Sequence, residues 1–368
     1  MKSSLKIGRV MGIPIKLHIT FLLILPIIAY AFAVNPAPFG YGWVEDGLTR
    51  YAMGTFAGVA LFACVLVHEL AHSYVALKNN IKISDITLFL FGGVSSMEEI
   101  PRNPGIEVRM AFVGPLTSII LGIIFGAVYF AVPGLRTGTT IAGTSIFLLT
   151  YLNIVLGIFN LLPGFPMDGG RVLRGLLAMR MPYIQATRYA VGVGKLFAYT
   201  LGIIGLLMGL AGIWLIIIAF FIYIAAGEEE RSTIVSMTLE GIKVKDIMTH
   251  DVVTVDANST VAECLDTMFE KKHLGYPVME NGKMAGIVAL TDLSRVPPEA
   301  RQNVKVSEVM TRKVITLKPD DDAFDALQKL NRFRIGRLIV TENDRLAGIV
   351  SRTDLLKSLE LYEVAQNR

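Results

Sequence analysis

Charge is scarce in this sequence. Only 18% of its 368 residues are Asp, Glu, Lys or Arg, 53% are apolar, and mean hydropathy is +0.54. That balance excludes an ordinary soluble protein. Cysteine is nearly absent: Cys64 and Cys264 lie in different halves of the chain, which excludes a disulfide framework. A strong basic excess is missing too, since the net charge is +4. No nucleic-acid partner is expected. The first apolar block has no small-residue cleavage signature and more apolar blocks follow it, so it reads as an anchor.

What is present is unevenly distributed. Residues 1–227 hold long apolar blocks with 15 Lys+Arg and 8 Asp+Glu; residues 228–368 hold 20 and 23. The first part reads as a membrane domain. A loose alternation from Leu5 to Leu17, with Gly8, Gly12 and Pro14, predicts a short hairpin at the membrane surface. Spans are expected near Ile15–Val34, Tyr51–Leu77, Ile106–Val132, from Ile141 to a break at Pro163, near Ala190–Leu210 and near Gly212–Ala226, about six in all. Ile86–Val94 is too short to span as a helix and reads as a strand or re-entrant loop. Gly122-x-x-x-Gly126 marks either a close helix contact or simply the usual glycine content of membrane helices.

Counting Lys and Arg in alternate loops gives twelve on one side and two, Arg50 and Arg136, on the other. This bias places both termini in the cytoplasm of a multi-pass protein of a prokaryotic-type cell membrane.

One stretch carries chemistry. Tyr51–Leu77 contains no Lys, Arg or Asp, yet holds His68-Glu69-Leu70-Ala71-His72. Residues four apart share a helix face, so His68 and His72 can grip one metal ion, with Glu69 near enough to reach a metal-bound water. Ionisable groups at membrane depth are costly and usually mark function. His72 lies six residues before Lys78, roughly 9 Å from that surface by helical rise. A catalytic zinc needs a third protein ligand. Asp168 is the leading candidate, in the helix-breaking run Asn160-Leu161-Leu162-Pro163-Gly164-Phe165-Pro166-Met167-Asp168-Gly169. The other reading has Asp168 capping a helix that starts near Arg171. His18, Cys64, Glu98 and Glu99 are rivals for the ligand role.

The soluble part is an internal repeat at an offset of 62 residues. Val244-Lys245-Asp246-Ile247-Met248 matches Val306-Ser307-Glu308-Val309-Met310; Gly286-Ile287-Val288 matches Gly348-Ile349-Val350; Thr291-Asp292-Leu293 matches Thr353-Asp354-Leu355. β-rich runs alternate with helical ones, so α/β units are expected. Residues 228–237, opening on Glu228-Glu229-Glu230, read as a linker, with repeat units at 238–300 and 301–368.

His68-Glu69-Leu70-Ala71-His72 together with Asn-x-x-Pro-x-x-Pro-x-Asp-Gly at 160–169 resembles the site-2 protease family of intramembrane zinc metalloproteases. The resemblance covers residues 1–227. It implies one Zn2+ held by His68, His72 and Asp168, with Glu69 as general base, acting on transmembrane segments of membrane proteins. A substrate made extended would add to an edge strand at Ile86–Phe91, with Phe91, Gly92 and Gly93 as contacts. Asn160 either binds the substrate backbone or satisfies the broken helix. The family often has an Asn soon after a Gly-Pro pair; Gly114-Pro115-Leu116-Thr117-Ser118 departs from that.

The repeat resembles a tandem pair of cystathionine-β-synthase-type (CBS) domains. That implies AMP or ATP binding through Gly-x-x-Ser/Thr-x-x-Asp. Gly348–Asp354 fits, with Ser351, Thr353 and Asp354. Gly286–Asp292 has Ala289 where the hydroxyl is expected, leaving Asp292 and one competent site. Such pairs also imply a homodimer. The expected architecture is an α-helical polytopic membrane domain with short β elements, followed by soluble α/β CBS domains. The alternative class is a CBS-regulated ion channel or transporter, its His and Asp serving as ion ligands.

Overall fold

The structure is a computed structural model that describes residues 4–89, 92–97, 103–136, 139–333, 335–343 and 345–358. Phe91, Glu98 and Glu99 lie outside the described residues. The chain divides into two compact units, Met1–Arg231 and Ser232–Arg368.

The first unit opens with a hairpin, β1 (Ser4–Val10) and β2 (Ile13–His18), turning through Met11 and Gly12 at positive φ. Helix α1 (Ile19–Val34) follows, then α2 (Gly47–Lys78), β3 (Ile83–Phe89), β4 (Gly92–Met97), α3 (Pro104–Ala131), the single turn α4 (Pro133–Arg136), α5 (Ile141–Asn160), α6 (Asp168–Ala178), α7 (Tyr183–Leu207) and α8 (Ile213–Thr238). Among the described residues, five helices are long and apolar enough to cross a membrane: α2, α3, α5, α7 and the stretch Gly209–Thr238. The first expected span, Ile15–Val34, is shorter than anticipated. α1 has only 16 residues because Ile15–His18 is drawn into β2, which pairs in parallel with β3. His18 caps α1 by accepting from Thr20 N at 3.3 Å, so its ring is occupied at a helix end.

Helix ends follow the local chemistry. Asp46 caps α2 through Thr49 N at 2.8 Å, and Lys78 sits in its last turn, where the helix dipole favours a cation. Asn103 caps α3, with Pro104 in the first turn. Gly122 and Gly126 do mark a close contact: a Cβ at 122 would lie 2.7 Å from Ile154 of α5, and one at 126 would lie 3.2 Å from Thr150.

The four strands form one sheet in the order β1-β2-β3-β4. β3 is therefore interior, paired on both sides, and β4 is an edge. The expectation of a free edge at Ile86–Phe91 is corrected to Gly92–Met97. Ile13, Ile15 and Ile86 pack with Leu66 and Leu70 of α2, which seats the sheet beside the His-Glu stretch.

The boundary between the two units, at Arg231 and Ser232, falls inside the segment 228–237, through which α8 runs as continuous helix to Thr238. Beyond it, the second unit holds α9 (Val244–Ile247), β5 (Val255–Asp256), α10 (Val261–Lys271), β6 (Gly275–Glu280), β7 (Lys283–Ala289) and α11 (Leu290–Leu293). The second copy repeats the plan as α12 (Val306–Val309), β8 (Thr316–Leu317), α13 (Ala323–Phe333), β9 (Arg337–Glu342) and β10 (Arg345–Ser351). Each copy gives a three-stranded sheet, β5-β6-β7 and β10-β9-β8, with a parallel first pair and an antiparallel hairpin.

The repeated motifs turn out to be exchanged contacts. A Cβ at Gly348 would lie 2.7 Å from Met248 of the first copy, and one at Gly286 would lie 3.0 Å from Met310 of the second. The bridges Thr249–Ile349 and Ile287–Thr311 tie the same pairs through the backbone. Leu330 is fully buried in the core of the second copy. Leu330→Ala is expected to destabilise this unit by about 2–5 kcal/mol, seen as an earlier denaturant midpoint for the tail, while the membrane unit keeps its helical signal.

Candidate metal centre

α2 places His68 and His72 on one face, both buried. Each imidazole is held from behind through Nδ1. His72 Nδ1 donates to the Met110 carbonyl at 2.6 Å, and His68 Nδ1 meets Ser118 Oγ at 2.8 Å. Both partners belong to α3. A carbonyl can only accept, so His72 must carry its hydrogen on Nδ1 and present an Nε2 lone pair forward. The two Nε2 atoms converge at 3.1 Å.

Asp168 completes the group. Its Oδ2 lies 3.1 Å from His68 Nε2 and 3.2 Å from His72 Nε2. α5 ends at Asn160, the Pro/Gly-rich run turns the chain, and Asp168 begins α6. Met167 holds the cap position and has no side-chain cap bond. Asp168 thus faces the histidines, and the capping alternative is set aside.

The arrangement fits a zinc ion. Bonds of about 2.0–2.1 Å at tetrahedral angles separate donor atoms by about 3.3 Å. The three measured separations, 3.1 to 3.2 Å, are close to that value. A set of two imidazoles and one carboxylate leaves the fourth position open, as catalytic zinc sites do. Space for the ion comes from Gly114 of α3: a Cβ there would lie 2.8 Å from His68 Nε2 and closer still to His72 Nε2. Among the described residues, His68, His72 and Asp168 form the one metal-capable cluster. Cys64 is buried one turn before His68 and outside the cluster.

Glu69 lies beside the sheet edge. Ser95 Oγ of β4 donates to Glu69 Oε2 at 2.8 Å, and a Cβ at Gly93 would overlap Glu69 Cγ. Gly92 and Gly93 open β4. Asn160 donates to Leu156 O of its own helix at 3.0 Å.

Three residues that hold the site are not singled out by the sequence motifs: Met110 and Ser118 on α3, and Ser95 on β4. Met110 acts through a main-chain oxygen and has no side-chain signature. Ser118, four residues after Gly114, lies in the stretch that departs from the family's usual Asn; its hydroxyl is the group that meets His68.

In the second unit, a cavity of about 410 Å3 is lined by Ser351, Thr353 and Asp354 together with His273, Arg337, Arg352 and Lys357. Ser351 N and Oγ both donate to Asp354, at 2.8 and 2.7 Å. Asp292 is not part of this lining and accepts from Ala289 N at 3.0 Å, capping α11.

Comparison with known proteins identifies the family. The profile of Peptidase family M50 matches residues 56–144 and 136–201, and that of the CBS domain matches 244–299 and 306–361. A zinc metalloprotease from Methanocaldococcus jannaschii is 35% identical over 369 residues, covering 100% of this chain and 99% of its own. Rip3 of Mycobacterium tuberculosis, provisionally named a zinc metalloprotease, is 32% identical over 378 residues, covering 100% and 95%. A solved site-2 protease from Methanocaldococcus jannaschii is 36% identical, covers 62% of this chain and 95% of its own, and gives a TM-score of 0.45. The cofactor is Zn2+, and the channel or transporter reading is set aside. The chain belongs to peptidase family M50, the site-2 protease zinc metalloendopeptidases, and carries a tandem pair of CBS domains.

Proposed function

We propose that this chain cleaves transmembrane segments of membrane-protein substrates at a zinc held by His68, His72 and Asp168. The convergence of those three side chains on one point supports the reading most directly. Zinc, when bound, supplies Lewis acidity that acidifies water and polarises a peptide carbonyl. Glu69 serves as general base: its carboxylate takes the water proton and passes it to the leaving amine. Ser95 and the absence of a side chain at Gly93 hold that carboxylate at the edge of β4. A helical substrate hides its carbonyls, so it must become extended before attack. The free edge of β4, with Gly92 and Gly93, offers main-chain groups for strand addition directly beside Glu69. Asn160 has its amide hydrogen on Leu156 O, which favours a structural role over a substrate contact.

The Lys/Arg bias of the loops supports cytoplasmic termini and a site nearer the cytoplasmic face. The CBS unit then meets cytoplasmic adenine nucleotides, with regulation of cleavage as its role. Its cavity is suited to AMP or ATP, because the cations Arg337, Arg352 and Lys357 complement phosphate, with His273 beside them, and Asp354 suits ribose hydroxyls. Ser351 and Thr353 add hydroxyls, and Asp292 belongs to the copy without a competent site. A homodimer through this unit completes the proposal.

Glu69→Gln is expected to keep zinc at one per chain while cleavage of a reconstituted membrane-helix substrate falls by about 10²–10⁴-fold. Retained cleavage would remove Glu69 from its role. Gly93→Val should displace Glu69 and slow turnover with zinc again retained; unaltered turnover would show that the close approach is unimportant. Gly114→Ala should abolish stoichiometric zinc, measured by metal analysis of the purified protein. In calorimetric titration of the full chain with AMP and ATP, Asp354→Ala should weaken binding by about tenfold or more, whereas Asp292→Ala should leave it unchanged.

A further inference from the structure

A second buried charge cluster lies close to the metal centre and takes no part in the proposed chemistry. Arg174 of α6 is fully buried, as is Glu107 of α3. Arg174 Nε donates to Glu107 Oε1 at 2.7 Å and Nη2 donates to the same oxygen at 2.5 Å, while Nη1 donates to Glu229 Oε1 of α8 at 2.9 Å. Tyr183 of α7 donates its hydroxyl to Glu107 Oε2 at 3.1 Å. The guanidinium carbon sits 4.7 Å from the Phe165 ring and 4.9 Å from the Tyr183 ring.

Burying a guanidinium whose partners include one buried carboxylate, and another at 21% side-chain exposure, gains little stability over apolar packing. What it fixes is geometry, since the planar fork demands set directions. Those directions bear on the metal ligands from both sides. Glu107 is one helical turn before Met110, whose carbonyl orients His72. Phe165 is three residues before Asp168, and Arg174 is six residues after it on the helix that Asp168 begins. One guanidinium therefore ties the turn and helix that carry Asp168 to the helix that supports the histidines.

We infer that Arg174 is a positioning residue for the zinc site, and that Glu229 makes this positioning depend on α8. This rests on the zinc ligation proposed above. Glu229 belongs to the acidic run that sequence alone assigns to a linker. Its neighbour Glu230 binds elsewhere, 3.2 Å from Lys195 and 3.8 Å from Arg188, both on α7. α8 is also the helix by which the chain continues into the CBS unit. The pull that Glu229 exerts on Arg174 is thus a direct route by which a change in α8 reaches Asp168.

The test uses the full chain in detergent, loaded with zinc, and follows release of zinc to excess EDTA alongside the absorption spectrum of the cobalt-substituted protein. Glu229→Ala should release zinc about tenfold faster than the parent, the size typical of losing a group that orients metal ligands, and should shift the cobalt bands. Glu229→Gln, which keeps an acceptor for Arg174, should fall between them. Glu230→Ala, which leaves Arg174 untouched, should behave as the parent. Parental release by Glu229→Ala would overturn the inference. Equal acceleration by Glu229→Ala and Glu230→Ala would overturn it too, because α8 packing in general would then be responsible. A parent chain that retains no zinc would instead overturn the ligation on which the inference rests.

Discussion

Everything in the membrane unit depends on how two imidazoles are held from behind. His72 Nδ1 on the Met110 carbonyl and His68 Nδ1 on the Ser118 hydroxyl turn both Nε2 atoms toward one point. Without those bonds the rings could rotate and offer their hydrogens to one another. With them, both Nε2 atoms face Asp168 across about the width of a zinc coordination face. The site is a property of three helices: α2 supplies the imidazoles, α3 orients them, and α6 brings the carboxylate.

The membrane explains the rest of the arrangement. Backbone polar groups have no water to bond in hydrocarbon, so irregular chain is tolerated only where protein covers it or a polar cavity adjoins it. The break between α5 and α6 is covered at Gly164, Phe165 and Met167 and adjoins the polar side chains of the metal centre. The break delivers Asp168, and the sheet, seated on α2 by Ile13, Ile15 and Ile86, delivers an edge strand next to Glu69. Arg174 and Glu107 bury their charges in one cluster for a related reason. A costly group survives where its geometry is needed.

Much of this was legible in the sequence because the signals were local. The four-residue spacing of His68 and His72, the Pro/Gly run before Asp168 and the 62-residue offset of the repeat each follow from short-range rules. The less legible features depend on tertiary pairing. Ile15–His18 looks like the start of a span, but parallel pairing with β3 claims it. The same pairing makes β3 interior and moves the free edge to β4. Glu228–Glu230 opens the stretch that reads as a linker; α8 continues through it, and Glu229 and Glu230 pair with Arg174 and Lys195. Met110 could not have been found from sequence, since a main-chain carbonyl leaves no mark there. Ser118 could have been, had any hydroxyl a turn beyond Gly114 been weighed as a partner for His68.

The most direct test is X-ray absorption spectroscopy at the zinc edge on the purified full chain. The account predicts one zinc per chain with only nitrogen and oxygen neighbours near 2.0–2.1 Å, including two imidazole signatures. A sulfur neighbour near 2.3 Å, which would place Cys64 on the metal, or a single imidazole would contradict it.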